Sequence, residues 1–316
     1  MSKLISPQRP RILIIYNPKA GKRQQKILTR TVGYILAKRW DATLKPTHFA
    51  GDATRLAMQA VEDKKYQVVC VAGGDGTINE VVAGIKAANG EHLPLGIIPI
   101  GTANVLAKDL NYPTTPEGWA MALTSGLTKP VQLGLIHGAE KQFSFVCMAS
   151  AGFDAEVVTA LPVKLKKKLG KWAYVWQAMK SFCWLEQPVV QVKIDSRKPM
   201  DTYGVVVSNT RYYGGKFLLA PQADVSQPEF DVVCLIEKGR WPLLSMAWGL
   251  VTGRVHQQPG VKIFKGKSIS IGASIASSSQ LDGDAGPPLP LKASLSQTPL
   301  NFLVGSTPND DQSKAR

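Results

Sequence analysis

Residues 71–80 read VAGGDGTINE, and they set the first chemical question. Gly73, Gly74 and Gly76 allow a backbone to turn with positive φ and to approach a ligand closely. They follow an apolar run at 67–72 and precede a helical pattern at 76–88. Backbone N–H groups at such a helix start face outward and suit phosphate oxygens. Asp75 is the odd member, because phosphate repels an acid unless a cation stands between them. A magnesium ion bridging carboxylate and phosphate resolves that conflict. The same residues also make an ordinary tight strand–helix turn, and a lone glycine motif does not choose between the two.

Two further corners carry similar residues. Asn17-Pro18-Lys19-Ala20-Gly21-Lys22 follows the apolar run Arg11–Tyr16, and Gly101-Thr102-Ala103-Asn104 follows the run at 95–100. All three corners fall at the ends of expected strands, on one edge of one sheet. Their convergence argues for a single nucleotide pocket more strongly than any one corner does. Late in the chain, Gln280-Leu281-Asp282-Gly283-Asp284 offers two carboxylates two residues apart. Asp-Gly is also a hairpin-turn signal, so chemistry and a plain turn both remain open there.

These corners need elements to hold them. Arg11–Tyr16 is a continuous apolar run of strand length, and a lysine-rich helical pattern covers 22–39. A short strand at 42–46, a helix over Asp52–Asp63, the strand at 67–72, the helix at 76–88 and the strand at 95–100 continue the alternation. Strands alternating with helices predict βαβ units and a parallel sheet, whose ligands bind beyond the carboxyl ends of the strands. From about residue 131 strand-like runs dominate, at 143–148, 189–194, 203–208, 231–236, 261–264 and 268–271. Helical stretches interrupt them near 163–185 and 241–252. The reading is an α/β nucleotide-binding domain with a parallel sheet over 11–131, then a mostly antiparallel, β-sandwich-like domain over 132–305. The active site is expected in the cleft between the domains, and the polar tail 306–316 is expected to be disordered.

Composition bounds the partners. A chain of 316 residues is long enough for about two domains. Its net charge of +15 favours nucleic acid, phosphorylated ligands or an anionic membrane without choosing among them. The lysines are spread along the chain and no zinc-finger, homeodomain or RNP pattern occurs, which argues against nucleic acid. Cys70, Cys147, Cys183 and Cys234 form no CxxC pair and have apolar neighbours, so they read as reduced, buried thiols. The N-terminus lacks an apolar secretory core, and the most apolar stretch, at 241–251, is too short to span a bilayer. The expectation is a cytoplasmic protein that associates peripherally with membranes.

Taken together, NPKAGK, GGDGTINE and PIGTANVLAKDL resemble the catalytic domain shared by diacylglycerol, sphingosine and ceramide kinases. The resemblance covers roughly 11–305 and is greatest to the soluble bacterial members. GGDGT also occurs in NAD kinases and phosphofructokinases, so the combination with NPxxG and GTxN carries the specificity. The resemblance implies an ATP- and Mg²⁺-dependent lipid kinase, with diacylglycerol as the expected substrate and phosphatidic acid as product. A sphingoid or other lipid, or NAD in a NAD kinase-like reaction, is the alternative. It further implies that Asn17, Pro18, Lys19, Ala20, Gly21 and Thr47 contact ATP. Gly73, Gly74, Asp75, Gly76, Thr77 and Asn79 would cradle the phosphates, with Asp75 on magnesium, and Thr102 and Asn104 would close the pocket. Similar kinases carry LDGE where this chain has Leu281-Asp282-Gly283-Asp284; by that likeness Asp282 is the general base and Asp284 a second catalytic acid. Asp154 and Glu156, in a segment similar to one that bounds the lipid headgroup, would bind substrate.

Three positions depart from the family pattern. Asp284 is shorter than the usual glutamate, Val105 stands where many diacylglycerol kinases have an acid after GTxN, and Gln227-Pro228 replaces an Asp-Gly beside Asp224. The helical stretch 163–185 places Leu165, Leu169, Trp172, Trp176, Met179 and Cys183 on one face, with lysines elsewhere. That pattern fits a helix packed on a core and also a helix at an anionic membrane surface. An exposed edge strand in the β domain would allow a homodimer.

Overall fold

The computed structural model describes residues 9–18, 21–138, 141–152, 188–273 and 279–305. The described chain forms two compact units. The first comprises residues up to Gly101, Leu110–Pro130 and the chain from Leu300; the second comprises Thr102–Asp109 and Val131–Pro299.

The first unit is built on β1 (Arg11–Tyr16), α1 (Lys22–Ala37), β2 (Asp41–Pro46), α2 (Asp52–Asp63), β3 (Val68–Gly73), α3 (Asp75–Ala87) and β4 (Leu95–Pro99). The continuous apolar runs become strands buried on both faces, as a helix-covered parallel sheet requires. Strands β2, β1, β3 and β4 lie side by side and parallel. Helix α2 turns Leu56, Ala57, Ala60 and Val61 inward at helical spacing. It packs on α3 so closely that a Cβ added at Gly84 would stand 2.3 Å from the Thr54 carbonyl oxygen. Helix α5 (Pro116–Thr124), which starts with Thr115 Oγ1 accepting from the Gly118 N–H, also belongs to this unit.

The division of the chain is not continuous at residue 131. Strand β20 (Leu300–Leu303), at the far end of the described chain, pairs parallel with β4 and separates it from β5 (Thr128–Val131). Residues 102–109, directly after β4, group with the second unit and include the short helix α4 (Val105–Asp109). The expected tail and the helical stretch 163–185 lie outside the described residues.

Among its described residues the second unit contains two six-stranded antiparallel sheets and a two-stranded one, β12 (Tyr212–Tyr213) with β13 (Phe217–Leu218). One six-stranded sheet has the order β10 (Met200–Thr202), β9 (Val190–Ile194), β16 (Ser268–Ala273), β19 (Leu291–Leu295), β6 (Gly134–His137), β7 (Gln142–Phe145). The other runs β15 (Val261–Gly266), β14 (Phe230–Leu235), β11 (Gly204–Ser208), β8 (Met148–Gly152), β17 (Ser279–Leu281), β18 (Asp284–Ala285). A single apolar core joins them, with Val192, Ile269 and Ala293 from the first sheet and Val205, Val207 and Val232 from the second. Phe145 and Phe230 stack at 5.5 Å between ring centroids. This is the expected sandwich, since inward residues alternate with exposed ones along β9.

The strand expected over 143–148 is interrupted. It divides into β7 and β8 at Val146 and Cys147, because the N–H groups of Val146, Cys147 and Met148 turn toward the carboxylate of Asp282 instead of a strand partner. The helical stretch near 241–252 is present as α6 (Arg240–Thr252). Cys70, Cys147 and Cys234 are buried and outside any disulfide, and burial raises the thiol pKa of Cys70 and Cys234.

Candidate active site

In the first unit, parallel registry brings the predicted corners together. Tyr16 lies beside Pro46 and Ala72, and Gly73 beside Pro99, so β1 to β4 all end at one edge. Asn17 and Pro18 leave β1 there, and Gln25 Nε2 donates to the Pro18 carbonyl at 2.9 Å, tying the loop to α1. Gly21 starts α1 with φ 102° and no side-chain cap. The Thr47 N–H donates to the Tyr16 carbonyl at 2.9 Å, which puts Thr47 on the same edge. Lys19 and Ala20 lie outside the described residues.

The glycine-rich corner takes the anticipated strand–turn–helix form. Gly73 ends β3, Gly74 is extended, and α3 begins at Asp75 without a side-chain cap. The glycine at 73 has a packing reason, since a Cβ there would lie 2.9 Å from both Cβ and Oγ1 of Thr77. Asp75, Gly76, Thr77 and Asn79 are half-buried around the first turns of α3. The Gly101 N–H donates to the Gly73 carbonyl at 3.1 Å, linking the exit from β4 to this corner.

Two acids that the motif reading passed over hold this edge in shape. Asp52 is fully buried; its carboxylate accepts from the His48 N–H at 2.9 Å and from Arg55 Nε at 2.9 Å. Burial works against its charge, yet the His48 N–H and the Arg55 guanidinium overcome that and lower its pKa. Glu80, the last residue of GGDGTINE, accepts from the Ala53 N–H at 3.3 Å at the start of α2, and its carbonyl accepts from Thr54 Oγ1 at 2.8 Å. The glutamate therefore locks α2 to α3. An acid five residues beyond Asp75, in a motif that opens a helix, was the available signal for it.

In the second unit, Asp282 and Gly283 are the two central residues of a tight hairpin. Leu281 pairs with Asp284, and φ is 50° at Asp282 and 88° at Gly283. Positive φ at both positions is what an Asp-Gly two-residue turn provides. The turn is also tied to β8. The Asp282 carboxylate accepts from the N–H groups of Val146 at 2.8 Å, Cys147 at 2.8 Å and Met148 at 2.9 Å. Asp284 is exposed on β18. The hairpin thus carries one carboxylate anchored in the fold and one at the surface.

Thr102 and Asn104 stand at the start of the same unit, and the Asn104 carbonyl begins α4. Helix α4 ends in Asp109, which is buried and paired with Arg211: Nε lies 3.1 Å and the backbone N–H 2.8 Å from Oδ1. Arg211 Nη2 also donates to the Asp109 carbonyl at 2.7 Å. Asp224 Oδ1 accepts from both the N–H and the hydroxyl of Ser226. Asp154 and Glu156 lie outside the described residues.

The corner at the sheet edge fits a magnesium nucleotide. Two helices begin there without side-chain caps, so their first-turn N–H groups and dipoles favour phosphate. Among the described residues, no group of three His, Cys, Asp or Glu side chains could hold a metal by itself. An ion beside Asp75 would therefore take its other ligands from phosphate and water, which is the habit of magnesium.

Known proteins resemble this chain in sequence and fold. Residues 11–136 match the diacylglycerol kinase catalytic domain, and residues 147–304 match the YegS C-terminal NAD kinase beta sandwich-like domain. The diacylglycerol kinase of Bacillus subtilis (strain 168) is 29% identical over 286 residues, covering 89% of this chain and 91% of the relative. That of Staphylococcus carnosus (strain TM300) is 28% identical over 301 residues, covering 93% and 92%. A crystal structure of a diacylglycerol kinase from Bacillus anthracis str. Sterne has the same fold, with a TM-score of 0.69, 20% identity and coverage of 96% of this chain and 99% of that one. The chain belongs to the diacylglycerol kinase catalytic-domain family of lipid kinases, in the form that carries a YegS-type β-sandwich behind the catalytic domain.

Proposed function

We propose that this kinase transfers the terminal phosphoryl group of ATP, with Mg²⁺, to the free hydroxyl of diacylglycerol, giving phosphatidic acid and ADP. The supporting observation is one chain with an uncapped glycine-rich helix start carrying Asp75 and a hairpin carrying Asp282 and Asp284. In this reading the backbone N–H groups at the starts of α1 and α3 bind phosphate oxygens. Asn17, Pro18, Gly21, Thr47, Thr77, Asn79, Thr102 and Asn104 surround the nucleotide. Magnesium held by Asp75 would neutralise phosphate charge.

The hydroxyl oxygen attacks the γ-phosphorus, the bond to the β-phosphate oxygen breaks, and the hydroxyl proton passes to a carboxylate of the hairpin. Asp282 is the acceptor in this reading. Its three N–H bonds hold the carboxylate in one orientation. A carboxylate suffices here, because the proton becomes acidic only as the O–P bond forms. Asp284 adds a second negative charge beside it.

The test is transfer of labelled γ-phosphate by the purified chain to diacylglycerol, monoacylglycerol and a sphingoid base in mixed micelles, with NAD⁺ in parallel. Label in diacylglycerol, dependent on Mg²⁺, supports the reading. Label confined to another lipid replaces the substrate, and label confined to NAD⁺ overturns the reading. The NAD⁺ arm is included because the second matched domain is described as NAD kinase-like.

A further inference from the structure

Helix α6 carries more exposed apolar surface than its place in the fold explains. Trp241 is 82% exposed, Leu244 45%, Trp248 64% and Val251 68%. Their spacing puts all four within about 80° of arc, a stripe running most of a helix roughly 20 Å long. Among the described residues, the opposite side is held by few contacts. Leu243 is buried, Ser245 Oγ donates to Gln258 Oε1 at 2.8 Å, and Gly249 lies so close to Val255 that a Cβ would stand 2.9 Å from its Cα. Monomeric surfaces rarely gather apolar side chains in this way without a partner.

The charges around the stripe say what that partner is. Lys238 and Arg240 are exposed at the N-terminal end of α6, which has no acid in its first turn. Cations at that end oppose the helix dipole and cost helix stability, so their placement serves something other than the helix. Arg254 is exposed just past the other end. Between residues 237 and 262 the chain has Lys238, Arg240, Arg254 and Lys262 against the single acid Glu237. Tryptophans on an apolar stripe with cations at its ends match the layering of an anionic bilayer surface, where indole rings sit at headgroup level above the acyl chains.

We infer that α6 is an interfacial docking helix that lays Trp241, Leu244, Trp248 and Val251 into an anionic lipid surface while Lys238, Arg240 and Arg254 meet lipid phosphates. The inference rests on the lipid-kinase reading to the extent that the substrate resides in a bilayer. Among the described residues, no helix is long and apolar enough to cross one. A second copy of the chain is the poorer occupant. One short helical face offers well under the roughly 800 Å² per partner of a standard interface. A two-fold contact along it would also bring like charges together.

The test is co-sedimentation of the full chain, without nucleotide, with vesicles of phosphatidylcholine alone or mixed with phosphatidylglycerol. The unaltered chain is expected to bind the anionic vesicles more tightly. The double variant Trp241→Ser/Trp248→Ser should bind roughly tenfold or more weakly. Phenylalanine at both positions should restore most binding, and Lys238→Gln/Arg240→Gln should remove the preference for anionic vesicles. Failure of the unaltered chain to sediment, or equal binding by the serine variant, overturns the inference. So does light scattering that shows a dimer lost in the serine variant, because a second copy then covers the stripe. Transfer to a dissolved short-chain diacylglycerol separates the two readings. Transfer without vesicle binding sinks only the docking helix, and vesicle binding without transfer to any lipid sinks only the proposed reaction.

Discussion

Met148 and Asp282 hold each other through two hydrogen bonds: the Met148 N–H donates to Asp282 Oδ1 at 2.9 Å, and the Met148 carbonyl accepts from the Asp282 N–H at 2.9 Å. With the N–H groups of Val146 and Cys147 on the same carboxylate, the catalytic candidate is also a structural clamp between β8 and the β17–β18 hairpin. The residue has a structural duty beside the catalytic one proposed for it, and substitution should separate them.

Asp282→Asn places an amide N–H₂ among three backbone donors and leaves at least one of them unsatisfied. A loss of about 1–3 kcal/mol in stability is expected, together with loss of phosphoryl transfer. Asp284→Asn, at an exposed position, should lower transfer while leaving the denaturant midpoint unchanged. Urea unfolding of the two variants beside the transfer assay checks this. Equal stability of Asp282→Asn and the unaltered chain would remove the clamp from the account.

Asp109 and Arg211 form an ionic contact with a buried carboxylate in the second unit, at the end of the PIGTANVLAKDL motif. The Asp109 side chain is nearly fully enclosed. Arg211→Ala takes the guanidinium away from a buried carboxylate while the residue-211 N–H stays on Oδ1, so a loss of about 1–3 kcal/mol is expected. Thermal and denaturant unfolding would show it, and Arg211→Lys should recover only part, because one ammonium cannot reproduce the two guanidinium contacts, to Oδ1 and to the Asp109 carbonyl.

The loop that follows β2 depends on the ionised form of Asp52. Its native pKa lies below the ordinary 3.8, so its stabilising contribution is present above that value and is lost as pH falls through the depressed native pKa. Asp52→Asn should lower stability at neutral pH, by roughly 1–3 kcal/mol for the weakened charge-assisted bonds. The gap from the unaltered chain should shrink as the pH drops below 3.8. Denaturant unfolding of both proteins across that range measures it; a gap independent of pH would mean that charge is not what Asp52 contributes.

Gly84 marks the closest approach of α2 and α3. Alanine there would drive a Cβ into the Thr54 carbonyl, and a backbone neighbour cannot swing aside. Gly84→Ala should destabilise by about 1–3 kcal/mol in spite of alanine's better helix propensity. Gly33→Ala in α1, where nothing lies within 4 Å, is the control and should stabilise slightly.

Much of the first unit was written in local sequence. Arg11–Tyr16 and Asp52–Asp63 are a strand and a helix at the residues where their apolar patterns begin and end. The glycine-rich corner is a strand–turn–helix because each step has its own short-range signal. Parallel strands joined by helices must end on one edge, so the gathering of Asn17, Thr47 and Gly73 followed from the alternation of elements alone. The second unit was legible as strands, since period-two burial along β9 shows in its residues.

What only the tertiary structure decided are the partners of groups far apart in the chain. No local pattern told Leu300–Leu303 to leave the sandwich and join the first sheet beside β4. None told Val146, Cys147 and Met148 to end a strand and give their N–H groups to Asp282, more than 130 residues away. The pairing of Asp109 with Arg211, and of Glu80 with the N–H of Ala53, belongs to the same class. Periodicity records which face of an element is buried, because neighbours three or four residues apart, or two in a strand, share that face. Which buried polar group answers which is settled by loops closing over long stretches of chain, after the apolar faces have met, and that leaves no mark at short range.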